Sequence, residues 1–434
     1  MKGLYDRRVS WICLQLTLVA VAALVLSQPV RAAPRVDPST LAGKLIMGYQ
    51  GWFACPGDAA GRGWVHWFHG PDPTVDLLPD VSGLPPAERC ATSLTAADGD
   101  RVALFSDQTP ATVARHFAWM RQYGLDGVAL QRFASQLLRP ELHAAVDTVL
   151  ANVRQAAEAH GRVFFLMYDL SGLSPADLPA VAQDWQRLQA GGLTRSPAYL
   201  RHRGHPLLGI WGLGFARRSL TPADAQRLLD ALARASAPYG GVTILGGVPA
   251  GWRTGQRDAS ADPAWQQVWP RLGVISPWTV GRYADDAGAD AYRRTTLAAD
   301  LARARALHAD VMPVVFPGFS WANLMHVRHR QAEVRNQIPR RCGRFYWRQV
   351  FDAVEAGATM LYGAMFDEVD EGTAMFKLVP SAAAAPATPW FLTLDADGCR
   401  LPSDWYLRLA GAATAVLRRD RPLSAALPLP LPPP

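Results

Sequence analysis

Eight short apolar runs, each followed by a longer stretch with helical or loop character, recur through most of the 434-residue chain. The runs fall at 44–50, 127–131, 163–168, 206–211, 242–246, 273–277, 311–316 and 359–366. Most are continuously apolar rather than alternating, as parallel strands covered on both faces must be. Between them, 111–123, 140–160, 222–235, 289–309 and 345–356 carry helical periodicity, and a further pattern at 402–418 would complete an outer ring. Gly124 and Gly357 stand where two of these helices need a left-handed residue to end. Thr221-Pro222 and Ser174-Pro175 place a capping hydroxyl before a helix-starting proline. The reading is α/β: a (β/α)8 TIM barrel with a long loop insertion after strand 1. A doubly wound sheet shares the alternation, but eight strands without a Gly-rich phosphate fingerprint favour the barrel.

Residues 51–100 do not follow the repeat and form the inserted loop, which Trp52, Trp64, Trp67, His66 and His69 predict to be ordered. Two stretches read as unstructured: a connection at 380–389 and a Leu/Pro tail at 421–434. The barrel domain then spans 34–420. Residues 1–33 have the parts of a secretory signal: Lys2, Arg7 and Arg8, an apolar run at 11–26, then Val30-Arg31-Ala32-Ala33 for cleavage after Ala32 or Ala33. An uncleaved anchor competes, but Gln15 and Thr17 interrupt a run already below the roughly 20 residues of a spanning helix. The expected mature protein is secreted or periplasmic and has no stable membrane insertion.

Cleavage after Ala32 would remove Lys2, Arg7, Arg8 and Arg31 against Asp6, lowering the formal charge from +7 to +4. With its arginines scattered, such a chain gives no reason to expect nucleic acid. Cys13 leaves with the signal, so Cys55, Cys90, Cys342 and Cys399 remain to form one or two disulfides in an oxidising compartment. Cys55 with Cys90 is the preferred pair because it closes a single loop. No metal-ligand spacing is present, and no metal or cofactor is expected.

In such a barrel the site lies where the strands end. That rule selects Tyr49, Gln50, Trp52, Gln131, Arg132, Tyr168, Asp169, Trp211, Trp252, Arg253, Ser276, Trp278, Arg282, Phe319 and Trp321 as candidates for contacting substrate. Sugar rings present flat C–H faces to indole and hydroxyls to polar rims, so this aromatic content points to a polysaccharide or glycan. His66 and His69 are secondary candidates. The strongest signal follows the eighth run: Asp367, Glu368, Asp370 and Glu371 crowd four carboxylates into five positions. Crowding and burial push carboxyl pKa values apart, so one group stays ionised while another keeps its proton, as glycosidic cleavage requires. A solvated turn with the acids facing water is the competing reading. Asp395-Ala396-Asp397-Gly398 resembles the start of a calcium loop but lacks the twelfth-position acid and reads as a turn.

The segments Met47-Gly48-Tyr49-Gln50-Gly51-Trp52-Phe53, Ile275-Ser276-Pro277-Trp278-Thr279-Val280-Gly281-Arg282-Tyr283 and Phe366-Asp367-Glu368-Val369-Asp370-Glu371-Gly372-Thr373 resemble bacterial proteins grouped with glycoside hydrolase families 71 and 99. The resemblance runs over about 41–409. Family 99 contains endo-acting α-mannosidases and α-mannanases with the motif N-E-W-H-E-G-T after strand 8. The resemblance implies Glu368 as the base that deprotonates the sugar 2-hydroxyl, giving a 1,2-anhydro sugar, and Glu371 as the acid/base. The configuration would be retained. Asp367, Val369 and Asp370 replace Asn, Trp and His of that motif. These departures leave open another sugar, double displacement by Asp367 or Asp370, or a non-catalytic carbohydrate-binding barrel.

Overall fold

The computed structural model describes residues 35–329 and 334–433. The expected signal, 1–33, and its Cys13 lie outside the described residues. Eight parallel strands form the sheet. They are β1 Lys44–Tyr49, β2 Gly127–Phe133, β3 Val163–Asp169, β4 His205–Trp211, β5 Thr243–Pro249 and β6 Val274–Trp278. β7 comes in two pieces, Asp310–Val311 and Val314–Val315, and β8 is Met360–Gly363. Each strand pairs with the next, and β8 pairs back onto β1.

The ring closes through β7, whose first piece pairs with β6 and whose second pairs with β8. At the changeover, Met312 N–H donates to Ile275 at 2.9 Å while the Pro313 carbonyl accepts from Tyr362 at 2.9 Å. Proline has no N–H to continue a ladder, so the strand changes neighbours there. The expected barrel is what the chain forms, with β8 ending sooner than the apolar run suggests.

The outer layer begins with α1 Pro110–Tyr123, α2 Pro140–His160, α3 Pro179–Ala190 and α4 Pro222–Ser236. Gly124 at φ 78° ends α1, and Thr221 with Asp224 forms a capping box on α4. The link from β5 to β6 uses two 3-10 turns, Pro263–Gln267 and Trp269–Arg271, instead of an α-helix. The helix expected at 289–309 starts earlier: α5 Asp286–Tyr292 passes through a π turn, Arg293–Leu297, into Ala298–Ala306. α6 Ala322–His329, α7 Arg344–Glu355 and α8 Trp405–Leu417 complete the layer. No described helix is long and apolar enough to cross a membrane.

The inserted loop is ordered, as its tryptophans predict. Trp67 is fully buried and donates to the Phe105 carbonyl at 2.9 Å, and Cys55 is bonded to Cys90. Cys342 is bonded to Cys399. Two stretches expected to be unstructured make defined contacts. The stretch 380–389 is tied to the inserted loop by Ala97 N–H to the Ala385 carbonyl and Asp98 N–H to the Ala383 carbonyl, both at 2.9 Å. In the tail, Leu423, Leu427 and Leu429 pack against the core, and Trp347 Nε1 donates to the Ser424 carbonyl at 2.9 Å. Prolines limit the freedom such a segment loses on docking, and its leucines supply apolar area to bury.

Candidate active site

The C-terminal ends of the strands open into a cleft of about 480 Å³. Its acidic wall is the segment after β8, held from three directions. Phe366 N–H donates to the Gly48 carbonyl at 2.7 Å, fixing the segment to β1. Asp367 is buried and accepts the Gln50 and Gly51 N–H groups at 2.8 and 2.9 Å. The Val369 carbonyl accepts Asp76 and Leu77 N–H from the inserted loop at 3.0 and 3.1 Å. Asp76 also caps α6, taking Ala322 and Asn323 N–H at 2.8 Å each and the Ser320 hydroxyl. The insertion thus braces both the acidic segment and the helix that brings Arg328 to the rim.

Glu368, Asp370 and Glu371 all line the cleft. Glu368 Oε1 accepts from Gln50 Nε2 at 2.7 Å, and Oε2 accepts from the Thr373 hydroxyl at 2.9 Å. Burial, then repulsion from Glu371 and Asp370, raises its pKa well above the ordinary range, opposed by those two donors. Glu371 is pushed up to about 7 by burial and by Asp370, while the Arg328 charge opposes the shift. Asp367 is also raised to about 7, chiefly by burial and against its two backbone donors. Asp370 Oδ2 lies 3.5 Å from His66 Nδ1. Glu368 and Glu371 act on each other, so a proton shared between them belongs to the pair.

Of the residues expected from the sequence, Gln50, Trp52, Gln131, Asp169, Trp211, Trp278 and His66 line this cleft with the acids. Trp52 offers an edge rather than a stacking face. It is sandwiched between His66, at 3.9 Å and 3°, and Phe133, at 5.3 Å. Trp211 meets Trp278 edge-on at 5.6 Å, and Trp278 meets Tyr362 at 6.2 Å. Gln50 Oε1, Trp52 Nε1, Trp211 Nε1 and Asp370 Oδ1 are buried without a hydrogen-bond partner among the described residues.

The fold of the whole chain has counterparts among solved structures. The GH99 endo-alpha-mannosidase from Bacteroides thetaiotaomicron, in complex with BIS-TRIS-propane, superposes with a TM-score of 0.61 at 18% identity over 89% of this chain and 100% of that one. A second structure of that enzyme gives 0.61 at 16% identity, covering 88% and 99%. A structure described as a glycoside hydrolase-like protein gives 0.51 at 11%, covering 89% and 97%. No family model matches the sequence, and no curated protein does. What is shared is the fold.

Several expected residues of this barrel lie elsewhere. Tyr49, Arg132 and Tyr168 sit one position from cleft residues on their strands, and alternation turns them outward to the helices. Tyr49 donates to Asp107 at 3.0 Å and lies 2.8 Å from His116 Nδ1. Arg132 holds Asp184 and Asp147 at 2.7 and 2.6 Å, and Tyr168 donates to Asp184 at 2.7 Å. Trp252 and Arg253 fold back onto Asp300, at 3.1 and 2.8 Å, and Arg282 pairs with Asp258 at 2.7 Å. Ser276 donates to the Met312 carbonyl at 2.9 Å, and Trp321 packs on Phe319 at 5.1 Å, off the cleft lining. His69 is exposed in a short hairpin. Asp367 works from behind the wall.

Sequence reasoning missed Phe133, Ser171, Arg218, Leu324, Arg328, Tyr362 and Met365 of the lining. Phe133 ends the longer-than-expected β2, whereas Arg218 and Arg328 come from a loop and a helix with no motif around them. A cavity of about 550 Å³ between α3 and α4 has no carboxylate in its lining, so it offers no acid/base pair.

Proposed function

We propose that the protein is a glycosidase acting on an α-linked glycan, possessing Glu368 and Glu371 as its working pair. The observation that carries this reading is the convergence of both glutamates on one cleft, with Glu371 held near 7 by burial and like charge. A carboxylic acid with that pKa is about half protonated at neutral pH, so it can both give and take back a proton, as a general acid/base must. Glu368 is the base by resemblance to the family motif; its two hydrogen-bond donors oppose, without reversing, the upward push of burial on its pKa, so the pair holds its proton in common. The fold of the endo-alpha-mannosidase makes an α-mannan the first substrate to try, cleaved through neighbouring attack by the 2-hydroxyl with retention. The buried, unpartnered polar atoms of Gln50, Trp52 and Trp211 give sugar hydroxyls places to bind.

A second reading of the chemistry is favoured by Asp370, whose Oδ1 is unpartnered at the cleft while both Asp367 oxygens are taken by backbone amides. Asp370, and not Asp367, is the alternative nucleophile. Secretion by a cleaved signal is part of the proposal and fits the two disulfides. The test is turnover on α-mannans and other α-glycans by wild type, Glu371→Gln and Glu368→Gln, with trapping of any glycosyl-enzyme bond. Turnover lost in both variants without a covalent intermediate supports the glutamate pair. A trapped ester on Asp370 selects double displacement, and sugar binding without turnover selects a lectin-like barrel.

A further inference from the structure

The wall opposite the acids carries a cation that cleavage of a neutral sugar would not need. Arg218 follows β4, and in an eight-strand ring β4 stands across from β8, behind which Glu368, Asp370 and Glu371 lie. Its guanidinium lies 4.9 Å from the Trp211 ring centre and 5.8 Å from that of Phe215. Nη1 donates to the Ser171 hydroxyl at 2.9 Å. Among the described residues, its side chain has one hydrogen bond, to that hydroxyl, and lies over two rings, and no acid pairs with it directly. Asp169 is reached only through Ser171, whose N–H it accepts at 2.6 Å, and Arg218's charge acts on it from beyond.

The side chain is therefore ordered before any ligand arrives, and most of its fork of donors is uncommitted. A planar guanidinium in this state recognises oxyanions. The barrel makes room for the arrangement: a Cβ on Gly247 would lie 2.4 Å from Trp211, so glycine there lets the indole and the arginine above it take their places. Arg328 adds a second positive charge at the rim beside Glu371.

Resting on the glycosidase reading, we propose that the substrate carries an anionic substituent, a carboxylate, phosphate or sulfate on the sugar, and that Arg218 binds it on the β3–β4 side of the cleft. Glucuronic acid, glucose 6-phosphate, glucose 6-sulfate and glucose would be titrated calorimetrically into the full-length protein, Arg218→Gln and Arg218→Lys. The expected result is that at least one charged sugar binds wild type about tenfold or more tightly than glucose, and the one preferred names the anion. Arg218→Gln should abolish that preference, and Arg218→Lys, which keeps the charge but not the fork, should retain part of it. Melting temperatures confirm that the variants fold. Equal affinities in wild type, no charged sugar bound, or a preference surviving Arg218→Gln each overturn the proposal. Binding is read without turnover, so this result stands apart from a failure of the hydrolysis assay.

Discussion

Glu371 is the residue on which pH and chemistry meet. Held near 7, it supplies a proton below that pH and loses it above, so kcat/KM should descend through about pH 7 on the alkaline side. Glu371→Gln should lower turnover by about 10²- to 10⁴-fold and remove that limb, which a pH–rate profile on the preferred glycan would read. The sign for stability follows from the same shift: a carboxyl raised on folding costs stability as pH rises through the folded value. Asp184 runs the other way. Burial would raise it, but Arg132, Tyr168 and Arg187 hold it down at about 2, so its contribution is whole above about pH 4 and lost as pH falls toward 2. Asp184→Asn should cost about 3–5 kcal/mol in urea unfolding at neutral pH, because Arg132 stays buried without its main partner. Sequence placed Arg132 and Tyr168 in the cleft for a reason that is physical: both faces of a barrel strand are apolar, so composition does not reveal which residues turn inward. Gln131 and Arg132 look alike as neighbours at a strand end, yet only the first reaches the substrate side.

Among the elements, the inserted loop shows how a segment outside the repeat can serve the site. Its Asp76 caps α6 and its backbone grips Val369, so one loop fixes both the rim helix and the acids. Asp76→Ala should destabilise the protein by about 1–2 kcal/mol, seen as a lower urea midpoint at unchanged slope. An unchanged midpoint would mean that the helix start is held by something else. The regular elements were readable because caps and prolines mark them: α2 begins at Pro140 and ends at His160, where the pattern placed it. The π turn in α5 and the 3-10 link after β5 were not, since both arise from packing of residues whose local preference is helical or neutral. Arg218 escaped notice for a related reason, as its partner Trp211 lies seven positions back and their contact depends on how the loop returns.

For the whole molecule, two covalent links restrain the chain outside the barrel strands. Cys55–Cys90 and Cys342–Cys399 span sequence separations of 35 and 57 residues. Loop-closure entropy for such spans is worth about 4 kcal/mol each, so reduction should lower the melting temperature by several degrees, measured by calorimetry with and without dithiothreitol. The overall architecture was the most legible level, because eight repeated strand signals outweigh any single error in where one ends. The tail was the least legible, because low complexity does not show whether spaced leucines have a surface to cover. The ring itself has one weak link. β7 offers only two residue pairs to β6 and two to β8, while β2 and β3 share seven. Like a clasp on a bracelet, that junction is where the circle can part with the fewest bonds broken. Amide exchange at Met312 and Tyr362 should accordingly outpace that of β2 and β3, and the acidic wall, which begins just past β8, would move with the clasp.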